Sequence, residues 1–411
     1  MSHCSNNSAG SARAPSEGED TSASPAWAAW AAVGSLALGV FSMVTSEFLP
    51  ASLLTPIARD LGISAGVAGQ TVTVTALVAA LAAPLIVLMT ARFNRRVVVW
   101  GLTLLIVLAN LLAAVAPNVG VLLLARVGMG ISLGGTWALA AALVMRLVPP
   151  HLLPRATALV FGGIAAATVC APSLGAYLGD LWGWRAAFLL VTCLGLLALV
   201  IQLFAMPSMD PQPSAGFRTF GVLLRRRDIQ IGFITVLLVF SGHFAGFTYL
   251  RLYLEQVPRL EIKELSLVLL VFGVGGLLGN FAGGFIAERS VRMSIFLSSI
   301  LLSLSTFTLL PYGSLTPIVF IAVGLWGIAF GALPVGTQIW TTQSGADHAE
   351  SAGALLVTTT QGAIAVGAVI GGLLVNGLGI YAVIGYCSLA ALIGGITMFL
   401  GGHRPFDKAA P

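Results

Sequence analysis

Charge is what this chain has least of. Only 9% of its 411 residues are Asp, Glu, Lys or Arg, against roughly 25% in an ordinary soluble domain. The 35 charged side chains, 20 basic and 15 acidic, are too few to cover a surface in water. That argues against a soluble enzyme, a nucleic-acid binder or a secreted scaffold. Cysteine is scarce as well: Cys4 sits in a polar tail, and Cys170, Cys193 and Cys387 lie singly inside apolar runs. No pair has metal-ligand or redox spacing, so they read as small packing residues. The apolar runs hold no paired carboxylates, no nucleophile beside a base and no metal cluster. No glycine-rich loop has the strand-to-helix setting that cradles a phosphate, and no ATP-hydrolysing unit is present. We therefore expect no enzyme activity, no cofactor and no metal.

What is present is hydrocarbon. At 57% apolar the chain holds about 234 apolar residues, enough for about twelve crossings at roughly 20 residues each. Apolar runs fall at about 30–54, 68–89, 97–115, 119–147, 154–179 and 184–205, and again at 229–254, 264–286, 292–311, 316–341, 351–375 and 379–401. Between the two sets lies a polar stretch, 206–228, with Pro207, Pro211, Pro213 and the basic Arg225, Arg226 and Arg227. The expected organisation is an all-α membrane protein: a disordered tail over 1–27, a six-helix half over 28–205, a linker over 206–228, a second half over 229–401 and a short tail over 402–411. The tail is polar and carries Glu17, Glu19 and Asp20, a composition that does not bury itself. It lacks the basic leader of a cleavable signal.

Orientation follows from the basic residues. With the amino terminus inside, the inner segments carry 14 Lys and Arg residues and the outer ones five, with Arg126 inside a span. Both termini are expected in the cytoplasm, and the pI of about 9.3 reflects this bias and not a nucleic-acid partner.

The halves echo each other at a shift of 197 residues. Arg92 and Arg95 map onto Arg289 and Arg292, Gly130-Ile131-Ser132-Leu133-Gly134 onto Gly327-Ile328-Ala329-Phe330-Gly331, and Gly175 onto Gly372. Two like-oriented six-helix halves suit a transporter that rocks about a midplane site. Many of the 48 glycines, such as those over 273–279 and 367–372, read as close-packing faces.

These residues also carry a family resemblance. Across about 30–401 the chain resembles the twelve-helix drug/proton antiporter branch of the major facilitator superfamily. The segment Val87 to Arg96 keeps Arg92, Arg95 and Arg96 of that family's loop after helix 2 but has Val87, Ala91 and Asn94 where the family has Gly, Asp and Gly. The second copy keeps Gly284, Arg289 and Arg292, with Glu288 at the acidic position. Arg126 with Gly130 is similar to the motif of the branch's membrane-embedded arginine. Gly162, Pro172 and Gly175 resemble its antiporter signature, with Ala171 replacing one Gly. Within the branch, Glu47-Phe48-Leu49-Pro50, Asp60-Leu61-Gly62-Ile63-Ser64, Gly66-Val67-Ala68-Gly69-Gln70 and Met145 through Pro150 resemble the bacterial purine ribonucleoside efflux pumps. Sugar exporters share much of the first segment. The resemblance implies proton-coupled efflux of purine nucleosides across a bacterial inner membrane, by a monomer whose partners are a small nucleoside-like substrate, protons and lipid. Export of sugars or of multiple drugs by the same machinery is the alternative.

Three ionisable residues lie inside spans: Glu47, Arg126 and His243. Each costs roughly 2.5–3.5 kcal/mol at a helix centre, which marks them as candidates for proton coupling. Glu47 and Arg126 are placed at similar depth, so an ion pair between them, direct or mediated by water, is geometrically open. It either locks two helices or lets Arg126 modulate a proton carried by Glu47. His243, opposite Ser46 at the 197-residue shift, is placed to titrate near neutral pH, to bond a substrate hydroxyl, or simply to pack. Trp137, Phe247, Tyr249, Gln338, Trp340 and Gln361 are candidate substrate contacts, since a nucleoside calls for flat rings and a few amides. Trp340 is equally placed to join an interfacial aromatic belt.

Overall fold

A computed structural model describes residues 26–90, 92–209 and 217–402. The acidic tail, the last residues including Arg404 and Lys408, and the linker prolines Pro211 and Pro213 lie outside these, as does Ala91. The described residues form fifteen α-helices and two short 3-10 turns, with no strand. The first half contains α1 (Ala26–Ser52), α2 (Leu54–Leu61), α3 (Ala65–Met89), α4 (Arg95–Ala114), α5 (Val119–Leu147), α6 (Leu153–Leu181) and α7 (Trp184–Ala205). A short helix, α8 (Phe217–Leu224), lies in the polar stretch between the halves. The second half contains α9 (Arg227–Thr248), α10 (Leu250–Gln256), α11 (Ile262–Arg289), α12 (Val291–Tyr312), α13 (Thr316–Ser344), α14 (Ala349–Gly377) and α15 (Ile380–Gly401). Twelve of these helices are long and apolar enough to cross a membrane. Twelve crossings return the chain to the side on which it starts, here called the terminal face; the other is the far face.

Local chemistry sets the helix ends. The side chains of Asn94, Asn118 and Ser290 accept the backbone N–H of Arg96, Val121 and Met293, satisfying donors that each first turn leaves free. Gly183 and Gly379 begin α7 and α15 at φ 82° and 85°, a left-handed turn that glycine adopts without a Cβ clash.

Lipid tails are as apolar as leucine, so membrane helices are held by close approach more than by exclusion of water. The sequence repeat shows how. Gly130 and Gly134 on α5 press on the carbonyls of Thr75 and Ala79 on α3, and a Cβ at either glycine would collide with them. Gly327 and Gly331 on α13 press in the same way on the carbonyls of Phe272 and Gly276 on α11. Each of the four partners maps onto its counterpart at the 197-residue shift. The repeat is therefore a repeat of contacts as well as of letters.

Within the halves α1 packs on α6 and α7, and α9 on α14 and α15; across them α3 packs on α14 and α6 on α11. At Gly273 on α11 a Cβ would strike the backbone of Val169 on α6. Three hydrogen bonds join the halves among the described residues: Gln361 to Glu47, Asn376 to Ser64 and Arg251 to Ser52. All lie at the level of Glu47 or between it and the far face, which is sealed.

Candidate substrate and proton site

Two prolines shape the site. Pro50 lies inside α1 and has no N–H to give the carbonyl of Ser46, four residues back. Arg126 fills that vacancy: its Nη1 donates to Ser46 O at 3.0 Å. The guanidinium is 2% exposed and lies over the Phe188 ring, 4.7 Å from its centre. Its Nε and Nη2 have no hydrogen-bond partner among the described residues. Pro56 repeats the device toward the far face. It frees the carbonyl of Ser52, and Arg251 of the second half donates Nη1 to that oxygen at 2.6 Å. Glu255, one turn on, holds Arg251 Nε at 2.8 Å.

Among the described residues no direct Glu47–Arg126 ion pair is formed. Neighbouring helical residues point about 100° apart. Arg126 takes the Ser46 carbonyl, while the Glu47 carboxylate accepts Nε2–H of Gln361 on α14 at 3.2 Å. Gln361 is 4% exposed and its Oε1 has no partner among the described residues. Beside this pair a narrow cavity is lined by Glu47, Phe48, Phe244, Phe247, Thr75 and Thr248, among others. Phe48 stacks on Phe244 at 6.5 Å and meets Phe247 edge-on at 5.6 Å. Aromatic faces from both halves thus adjoin a carboxylate from one and an amide from the other.

His243 lies elsewhere in character. It is 0% exposed, and its ring lies flat on Phe330 with centres 3.5 Å apart. Trp326 Nε1–H donates to His243 Nδ1 at 2.9 Å. An imidazole accepting at Nδ1 carries its proton on Nε2 and is neutral. Of the three alternatives for this histidine, the geometry in this conformation matches packing, with the ring as an acceptor from the indole. The register is corrected. Helix α1 breaks at Leu53 (φ −107°, ψ 9°) and α9 at Tyr249 (φ −106°, ψ 9°). That offset of 196 places Glu47-Phe48 opposite His243-Phe244, so the stacked phenylalanines are symmetry mates.

Of the six candidate substrate contacts, Phe247 lines the cavity and Gln361 holds Glu47. The others stand apart. Tyr249 is fully buried, with its ring against Gly69 of the first half and Gly371 and Gly372 of its own, and its hydroxyl donating to Ala368 O at 3.3 Å. Trp340 is buried rather than interfacial, its indole donating to Asp228 O at 3.0 Å at the start of α9. Gln338 is exposed on α13, and Trp137 packs half-buried in the apolar core of the first half. Of the antiporter signature, Gly175 packs on Leu49 and Ser52 of α1 and Pro172 lies inside α6, while Gly162 faces open space and the next residue, Gly163, abuts the Ala37 carbonyl.

Sequence reasoning missed four participants. Ser46 Oγ donates to Asn110 Oδ1 at 2.6 Å, a buried amide on α4. Phe48, Phe244 and Arg251, which is 4% exposed, were the others. The signal for both arginine contacts was the proline four residues beyond each freed carbonyl.

Residues 36–368 match the model of the Major Facilitator Superfamily. The chain belongs to this superfamily. It is 38% identical over 369 residues to the purine ribonucleoside efflux pump NepI of Salmonella paratyphi B (strain ATCC BAA-1250 / SPB7), covering 90% of this chain and 91% of that protein. Its fold is similar to that of a POT family transporter in complex with 5-aminolevulinic acid, with a TM-score of 0.76 at 13% identity over 91% of this chain and 96% of the other. The human organic anion transporter MFSD10 (TETRAN) is similar at a TM-score of 0.65 and 16% identity, over 90% and 98%. As a member of the superfamily this is a multi-pass membrane transporter that takes a small-molecule substrate, and not an enzyme.

Proposed function

We propose that this transporter exports purine ribonucleosides and related analogues in exchange for protons, by alternating access across a bacterial inner membrane. Both termini are in the cytoplasm, as the 14-to-5 division of basic residues supports. The halves 28–205 and 229–401 rock about the site, joined by 206–228. The observation that carries the reading is Glu47: an acid inside the membrane, on the seam between halves, beside three phenylalanine rings. The rings Phe48, Phe244 and Phe247 offer stacking faces for a base. The Gln361 amide presents a donor and an acceptor side by side, the pairing that a purine edge matches. The 38% identity to a protein named as a purine ribonucleoside efflux pump supports the same substrate class.

Glu47 carries the proton and Arg126 modulates it. Its guanidinium is bonded to the carbonyl of Ser46, the residue before Glu47, and rocking changes its separation from the carboxylate. Exchange of one proton for an uncharged substrate gains about 2.3 kcal/mol from a 100 mV potential, which sustains about a fiftyfold substrate gradient. Overexpression should raise tolerance to toxic purine analogues; equal sensitivity with and without membrane-inserted protein would count against the substrate class. Sugars and hydrophobic drugs belong in the same competition panel on purified protein, and displacement of a bound nucleoside by sugars as effective as purines would favour the alternative.

A further inference from the structure

The Glu47–Gln361 contact is a hydrogen bond between the halves whose strength depends on a proton. Bonds to an ionised acceptor are about twice as strong as neutral ones. While Glu47 is charged, the amide of α14 binds α1 tightly and favours the conformation in which the far face is sealed. Once Glu47 takes a proton on a carboxylate oxygen, the amide keeps at best a neutral bond to it. A substrate that engages the Gln361 amide removes it from Glu47 altogether.

We propose that Gln361 is the positioning residue that prevents the empty, ionised transporter from turning over. This rests on the reading of Glu47 as proton carrier. An exchanger couples two fluxes only if the carrier without either ligand stays where it is. A tie that holds when Glu47 is charged and the amide is free, and weakens when either condition is lifted, meets that requirement. Gln361 suits the task for three reasons. It comes from the opposite half, it is 4% exposed and so keeps its bond away from water, and its Oε1 stands unengaged.

Few other groups compete for Glu47. Arg126 on α5 is bonded to the adjacent Ser46 carbonyl, and His243 on α9 accepts from Trp326. Helices α3 and α14 bring no charged side chain between 65 and 89 or between 351 and 377. The remaining helices packed on α1 carry charges only toward their ends: Arg95 and Arg96 on α4, Arg155 and Asp180 on α6, Arg185 on α7, Arg59 and Asp60 on α2, Arg251 and Glu255 on α10. Arg146 on α5, Arg227 and Asp228 on α9 and Glu350 on α14 likewise lie at helix ends, and the titratable Cys170 and Tyr177 on α6, Cys193 on α7, Tyr249 at the end of α9 and Tyr253 on α10 complete the set.

The test is a proton leak without substrate. Proteoliposomes holding the full chain are given a pH gradient, and lumenal pH is followed with no nucleoside present. Gln361→Leu should leak protons about tenfold faster than the native protein, the loss of one charge-assisted hydrogen bond. Gln361→Met, which keeps the side-chain length, should leak alike and serves if the leucine variant reconstitutes poorly. The Glu47→Gln/Gln361→Leu double variant should be as tight as native. A native-like seal in both single variants overturns the proposal, as does a leak that survives in the double variant. Retention of pH-driven efflux by Glu47→Gln alone would instead remove the proton-carrier reading beneath it.

Discussion

Glu47 and His243 occupy the same place in the two halves, yet the protein has built opposite surroundings for them. Around Glu47 the two halves leave polar groups partly served: a guanidinium of the first half with two nitrogens and an amide of the second with an oxygen that have no partner among the described residues, and a cavity alongside. Around His243 the second half supplies an indole donor to Nδ1 and a parallel phenyl ring with no exposure, and Nε2 has no hydrogen-bond partner among the described residues. The same helix geometry thus holds a carboxylate tied to the opposite half and an imidazole that accepts from an indole. The repeat supplies the frame, and the side chains facing each position set its surroundings.

The comparison can be broken most directly at Glu47. In vesicles Glu47→Gln should abolish pH-driven efflux while leaving downhill exchange of substrate; undiminished uphill transport would erase the distinction between the halves. At the matching position His243→Leu should keep proton coupling. It strands the Trp326 N–H in an apolar core, at about 1–3 kcal/mol, read as a lower melting temperature. Loss of coupling with stability unchanged would mean that the histidine is no mere packing residue.

The arginine contacts sharpen the comparison further. Pro50→Ala returns an N–H to the Ser46 carbonyl and so competes with Arg126. Efflux should fall about tenfold, roughly one hydrogen bond to a charged group, although alanine is the better helix former. Arg251→Gln weakens the tie between halves on the far face, and a cysteine placed at Ser64 should then label several-fold faster from that side. The smallest effect concerns the two exposed carboxylates. The Arg226 fork beside Asp347 holds its carboxyl down at about 2, and the Arg185 hydrogen bond holds Asp60 below the ordinary value. A carboxylate lowered on folding contributes stability above its unfolded pKa and loses it as pH falls through the folded one. Thermal stability should therefore decline slightly from about pH 4 toward pH 2, and Asp347→Asn should flatten that decline.

The helices were largely legible because spanning runs leave a plain signal: 119–147 and 184–205 coincide with α5 and α7. The breaks at Leu53 and Tyr249 were not, since apolar residues continue through both and only the backbone angles turn. The absence of a direct Glu47–Arg126 pair among the described residues has a related reason. Depth along a helix can be counted from sequence, but the side on which a neighbour arrives cannot. Gln361 was visible as a rare amide in an apolar span, whereas its partner in the other half, 314 residues away, was set by packing alone. Trp340 was misplaced because tryptophan near a helix end fits an interfacial belt and a buried clamp equally well.

Because Pro56 cannot serve the Ser52 carbonyl in any conformation, that oxygen always needs an outside donor. When the far face parts, water arrives at the moment Arg251 departs, and one donor is traded for another without an acceptor being stranded in oil. The polar gasket is then nearly neutral in the energetics of opening, and the resistance comes from the oily seal of Tyr249, Gly69 and Gly372 beside it.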